Sequence, residues 1–189
     1  RDRDVTGVQT CALPIYKWNY GSVGNGSVAH LGMELLKSRA PGLTPVHVPY
    51  QGNPAVITAM LGGQIQLSLV PPGLAMPQVK AGKLRAIGVT SSRSSALVPE
   101  VPSLTEAGVR DFNLEVWTAL IGPASLSKAA QDKLSAEIAK IYNDADIQRK
   151  LLTAGWQPVG STADGLRQRV RDEAALLGNI ISTRGIKLD

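Results

Sequence analysis

From Tyr16 onward the chain alternates short apolar runs with amphipathic stretches: residues 18–20, 45–49, 65–70 and 84–89 against residues 27–37, 54–61 and 74–80. Strand-like runs that each lead into a helical period are the sequence form of repeated βαβ units. That pattern restricts the chain to an α/β fold with a mostly parallel sheet. Val28, Leu31 and Leu35 set one buried stripe on the first helix, Val56, Met60 and Leu61 one on the second, and Leu74 and Val79 one on the third. Residues 91–112 are rich in Ser and Pro and read as a long irregular connection with one helical piece at 104–107. Connections of that length in compact domains are functional or link lobes. A strand-like run at 114–121 follows, then helices at 127–143 and 145–154, a short strand at 156–159, and a last helix at 163–181. Ser127 and Thr162 are the expected N-caps of the first and last of these helices, and Trp18 and Trp156 are expected in the core.

Composition removes several function classes. A chain of 189 residues with 43% hydrophobic and 19% charged residues buries a core and lacks the signature of disorder. No stretch of about 18 apolar residues occurs, so direct membrane insertion is not expected. The single Cys, Cys11, rules out an internal disulfide framework and a Cys-rich zinc site. Two His are few for a metal centre, and neither a metal nor another cofactor is expected. The excess of 20 Lys and Arg over 15 Asp and Glu is not gathered into blocks with aromatics, so nucleic acid is not an expected partner.

Residues 1–15, RDRDVTGVQTCALPI, have neither helical nor strand periodicity and none of the parts of a secretory signal. Back-translated, the run from Val5 to Ile15 is similar to an adapter oligonucleotide of DNA sequencing libraries. The expectation is a non-native leader, with native sequence starting near Tyr16.

The segment richest in chemistry is Tyr20-Gly21-Ser22-Val23-Gly24-Asn25-Gly26-Ser27-Val28-Ala29-His30-Leu31, between a strand and a helix. Its glycines let the backbone turn sharply and present N–H groups, the helix start adds a positive dipole end, and Ser22 and Ser27 add hydroxyls. This is a cradle for a carboxylate or phosphate. An ATPase-type phosphate loop needs Gly-Lys-Ser/Thr, and no Lys stands between Gly26 and Ser27; the spacing Gly21, Gly24, Gly26 does not fit the dinucleotide fingerprint either. Between Tyr16 and Pro99 seven basic residues face one acid, Glu34, which suits a small anion better than a metal-bound nucleotide. A Ser nucleophile would need a base and an orienting acid, and no Asp occurs between Tyr16 and Arg110.

The run YGSVGNGSVAHL, followed in order by HVPYQG, LGGQIQLSL, AGKLRAIGVTSSRS, VPEVPSLTEAG and VWTALIGPA, resembles the Bug-type solute receptors of tripartite tricarboxylate transporters. The match is collinear from about Tyr16 to Asp189. The resemblance implies an α/β fold of the periplasmic binding protein type II kind: two lobes with mostly parallel sheets, the first lobe incomplete here. It implies a second lobe over 16–111 and a return segment of the first lobe over 112–189, and it places the signal peptide, the start of the first lobe and a helix before Trp18 outside this chain. It also implies a periplasmic, non-enzymatic receptor that clamps a small carboxylate and delivers it to the permease subunits of a membrane transporter. The alternative is the effector-binding domain of a transcription regulator of similar architecture.

Carried over residue by residue, Ser22, Gly24, Asn25, Gly26 and Ser27 match the family's second-lobe binding loop. His30 is expected beside it in a structural role. Tyr50 and Gln51 are candidate ligand contacts because they follow the end of a strand, where open α/β sheets bind ligands. Trp117 matches a position near the return crossing and is a candidate to close over the ligand. His47, between Val46 and Val48, reads as a packed sheet residue. Residues 67–73, LSLVPPG, depart from the family at Val70, Pro71 and Pro72, where a polar pair is common, which leaves the ligand's identity open.

Overall fold

The computed structural model describes residues 18–187; the expected non-native leader lies outside them. The chain runs β1 (Asn19–Ser22), α1 (Val28–Arg39), β2 (Val46–Pro49), α2 (Asn53–Leu61), β3 (Leu67–Ser68), α3 (Pro72–Lys80), α4 (Lys128–Asn143), α5 (Ala145–Thr153) and α6 (Ala163–Arg184). β1 lies between β2 and β3, parallel to both. Side chains alternate across a strand, and here the alternation places a helix on each face of β1. Tyr20 meets Glu34 of α1, whereas an added Cβ on Gly21 would meet Val56 of α2 and Ile65.

Two apolar clusters hold this arrangement. Val56, Ala59 and Ile65 pack under α2 with Tyr50 and Val48 against them. Leu35, Leu104, Phe112, Leu114 and Ile180 form the second, joined by Leu176 and Leu177. The second cluster draws on both sides of residue 111, so the C-terminal half of α6 packs on α1. Four helices open on side-chain caps: Ser27 accepts from the His30 amide, Ser127 from the Ala130 amide, Asp144 from the Asp146 and Ile147 amides, and Thr162 from the Gly165 amide.

Several expected elements differ. Residues 65–70 contribute only the two residues of β3. Residues 84–89 form no strand; Val89 makes one bridge to Ser103, and its amide donates to Pro102. Residues 114–121 and 156–159 are extended or irregular, and 104–107 are turns. The turns at 103–106 close on a reciprocal pair, with the Ser103 amide donating to the Glu106 carboxylate and the Glu106 amide to the Ser103 hydroxyl. Trp156, expected in the core, is 45% exposed; 156–159 have no ladder to bury it under.

Candidate functional site

The chain steps from β1 to β2 on one side, then crosses by α2 to β3 on the other. In an open α/β sheet the ligand crevice lies outside the carboxyl ends of the strands where this order reverses. Two segments meet there, the loop after β1 and residues 69–71 after β3.

The loop after β1 is held from within. Gly24 and Gly26 take φ of 127° and 72°, a region that side chains rarely adopt. The Ser22 hydroxyl sits between the two backbone groups of Gly24, donating to its carbonyl at 3.0 Å and accepting from its amide at 3.2 Å. The same oxygen lies 2.6 Å from Nε2 of His47. With one hydroxyl proton available, donation to Gly24 requires that His47 carry its proton on Nε2. The Gly26 amide donates to Nδ1 of His30 at 3.1 Å, and the Ser27 amide to the Gly24 carbonyl at 3.3 Å.

The expected donor set is therefore revised. Ser22 is 0% exposed, and its hydroxyl shapes the turn. The Gly24, Gly26 and Ser27 amides are engaged inside the loop. The donors that the helix itself leaves open are the amides of Val28 and Ala29 at its first two positions, which have no intrahelical acceptor. Ser27 caps α1, and Asn25 is exposed at the tip of the turn.

Beneath the loop lies a cluster of rings. His30 and His47 stack with centroids 3.9 Å apart and planes at 11°, and Tyr20 stacks on His47 at 4.9 Å. The Tyr20 hydroxyl donates to the buried Glu34 carboxylate at 2.9 Å. Glu34 also accepts from Lys37 at 2.6 Å and faces Arg184 of α6 at 3.6 Å. Burial pushes the His47 ring down to about 4, reinforced by His30. Burial also lowers His30, against the pull of Glu34. The Tyr20 hydroxyl is raised by burial and by its bond to Glu34. For Glu34 burial acts upward, but the bonds from Lys37 and Tyr20 and the charges of Lys37 and Arg184 outweigh it and hold the carboxyl low. An open cleft of about 560 Å³ beside the cluster is lined by Asn25, His30, Lys37, Arg184 and Lys187, among others.

The remaining candidates are placed differently. The Tyr50 amide donates to the Ser22 carbonyl at 2.9 Å, and its ring packs over Gly21 in the α2 cluster. Gln51 is exposed beside it. Trp117 donates from Nε1 to Glu173 at 2.7 Å and lies beside Arg169, so its described partners are on α6. His47, read from sequence as sheet packing, joins the loop's support, as do Tyr20 and Glu34. The signal for this was present in the spacing: Tyr20 and Ser22 share a strand face and His30 and Glu34 a helix face, while the β1–β2 register sets Tyr20 opposite His47. Among the described residues no group of three or more His, Cys, Asp or Glu is placed to hold a metal.

A family profile described as tripartite tricarboxylate transporter family receptor matches residues 8–186. The chain belongs to this family. The match starts inside the segment expected to be foreign, so the start of native sequence at Tyr16 stands as a proposal. Among curated relatives, a UPF0065 protein of Cupriavidus necator is 39% identical over 142 residues, 75% of this chain and 42% of that protein. MatC from Rhodopseudomonas palustris, solved with bound malate, is 25% identical with a TM-score of 0.66, covering 87% of this chain and 56% of that one. An R. palustris protein solved with adipate shares the fold with a TM-score of 0.75 at 24% identity, over 91% of this chain and 57% of that one. The chain spans about half the length of the curated relatives it matches. No described helix is long and apolar enough to cross a membrane.

Proposed function

We propose that this family member is part of a periplasmic solute receptor that binds a small carboxylate, without catalysis, and delivers it to the permease subunits of a membrane transporter. The observation that carries this reading is the internally hydrogen-bonded Gly-rich loop at the start of α1, at the sheet's reversal point, in a chain of the receptor family. The bound malate of MatC supports a carboxylate as the ligand class. One ligand carboxylate accepts from the Val28 and Ala29 amides, with Asn25 and the Ser27 hydroxyl beside them. Ser22, Gly24, Gly26 and His30 fix the backbone that presents these groups, and Tyr50 and Gln51 border the crevice. Each charge-assisted bond contributes about 1.5–3 kcal/mol. Two or three supply much of a micromolar affinity, about −8.2 kcal/mol.

The rest of the clamp belongs to the other lobe, for which residues 112–189 are proposed as the return segment and 16–111 as the binding lobe. Exposed apolar side chains on the former support a covering partner lobe: Ile121 is 86% exposed, and Val116, Leu120 and Val159 are exposed too. Trp117 is then a residue of the lobe junction rather than of the loop. Titrating the full-length protein with di- and tricarboxylates tests the reading. Binding of at least one with micromolar affinity is expected, and tight binding of cations alone, or of nothing in the panel, overturns it.

A further inference from the structure

We infer that His30 is the positioning residue of the anion loop, a proton-sensitive latch whose neutral ring holds the loop in its binding shape and whose protonation releases it. The geometry that carries this is the bond from the Gly26 amide to Nδ1 of His30 at 3.1 Å. Gly26 holds a positive φ of 72° between Asn25 and the helix cap, so its amide direction sets the path into the first turn. An imidazole accepts at Nδ1 only while that nitrogen is unprotonated. Once Nδ1 gains a proton, two donors face each other and the bond is lost. Cap and latch lie on the same turn, because the His30 amide also donates to the Ser27 hydroxyl at 3.3 Å.

The groups facing His30 come from every element packed on it. His47 of β2 stacks on the ring at 3.9 Å, and Tyr20 of β1 lies at 6.3 Å. Glu34 and Lys37 share its helix, and Arg184 and Lys187 line the same cleft from the end of α6 and just beyond it. Glu34 is the single acid in this set, and it is already shared by Tyr20, Lys37 and Arg184. Burial of the ring, together with the charge of Lys37, keeps it neutral against the pull of Glu34. Stacking opposes charging both imidazoles together, and the cost falls on His47, whose ring burial and the charge of His30 both lower, so His47 acts as the platform that keeps His30 oriented. The consequence for binding rests on the receptor reading: the loop's grip on a carboxylate weakens as pH falls, by up to about tenfold per pH unit below the ring's protonation midpoint.

The test uses the full-length protein and two readouts. Asn places an acceptor where His has Nδ1 and does not titrate, so His30→Asn keeps the Gly26 bond at all pH values, whereas His30→Leu removes it. By NMR, the Gly26 amide signal of the wild type should shift with the same midpoint as the His30 ring, and in His30→Asn it should not. With malate as probe, His30→Asn should bind like the wild type at pH 8 and progressively better than it as pH falls through the midpoint that the His30 ring shows by NMR, while His30→Leu binds more weakly throughout. Malate's own titration is common to all the proteins and cancels in the comparison. A Gly26 amide indifferent to His30 protonation, or identical pH profiles for wild type and His30→Asn, overturns the latch. Failure of malate to bind at pH 8 counts against the receptor reading alone, since the NMR readout needs no ligand.

Discussion

The Ser22 hydroxyl and the His47 ring meet at 2.6 Å across 25 residues of sequence. Parallel pairing of β1 with β2 makes this possible by setting Tyr20 opposite His47, with Ser22 two residues further along the same face. The pair has the distance of a nucleophile and its base, but Ser22 is fully buried and its oxygen is bound to both backbone groups of Gly24. It is a structural clasp. Ser22→Ala leaves the Gly24 amide and Nε2 of His47 unpaired, and is expected to destabilise the protein by about 1–3 kcal/mol in urea unfolding. Nitrophenyl esters should not be turned over by the wild type. Hydrolysis that disappears in Ser22→Ala would show a nucleophile instead.

Acid stability should fall in two stages. Burial holds His47 at about 4 in the folded chain, against an ordinary value of 6.5. Between those limits the unfolded chain binds more protons, so stability is intact above about pH 6.5 and declines as pH falls towards about 4. Glu34 is held below the ordinary range, so its contribution is present above about pH 4.3 and is lost as pH falls through its folded value. Urea midpoints measured from pH 8 to 3 should follow this course. His47→Gln, which keeps a polar group near Nε2, should reduce the first stage to the part contributed by His30, whose ring burial also lowers.

Glu34→Gln is expected to cost about 1.5–3 kcal/mol at pH 7, because the buried carboxylate accepts from Tyr20 and Lys37 and faces Arg184. Thermal unfolding checks the loss. Lys37→Ala alone should cost less, because Tyr20 and Arg184 remain on the acid.

Two glycines should respond oppositely to alanine. At Gly32 an added Cβ would stand 2.5 Å from Cδ1 of Leu69 and 2.8 Å from Cδ2 of the buried Leu114, so Gly32→Ala is expected to destabilise by about 1–3 kcal/mol. Gly178, exposed on α6, has nothing within 4 Å of such a Cβ. Gly178→Ala should stabilise by about 0.5–1 kcal/mol. Chemical denaturation of both variants reads the contrast.

What the sequence revealed of this molecule is what depends on near neighbours. The presence of β1, β2 and all six helices follows from periodicity, and the caps Ser127 and Thr162 from the side chain that starts each helix, but Val28, Leu61 and Leu74, expected on buried stripes, are exposed. Residues 84–89 and 114–121 have the apolar content of strands, but a strand also needs an aligned neighbour for its N–H and C=O groups. Val89 finds one only at Ser103. The same limit governs the site. The loop was legible from Gly24, Gly26 and Ser27, whereas His47 entered through strand register and Glu34 through its bond to Tyr20. Which amides remain open depended on how Ser22 and His30 fold back on their own loop.

The most direct measurement is calorimetric titration of the full-length protein with malate, for the wild type and Val28→Pro. Proline fits the first position of a helix, and the extended backbone of Ser27, with φ −61° and ψ 156°, suits the residue before it. The variant should therefore keep the wild-type unfolding temperature while lacking one of the two open amides. Micromolar binding is expected of the wild type and a loss of about tenfold or more of Val28→Pro, the equivalent of one charge-assisted bond. Equal affinity in a folded Val28→Pro, or no carboxylate bound by the wild type, would contradict this expectation.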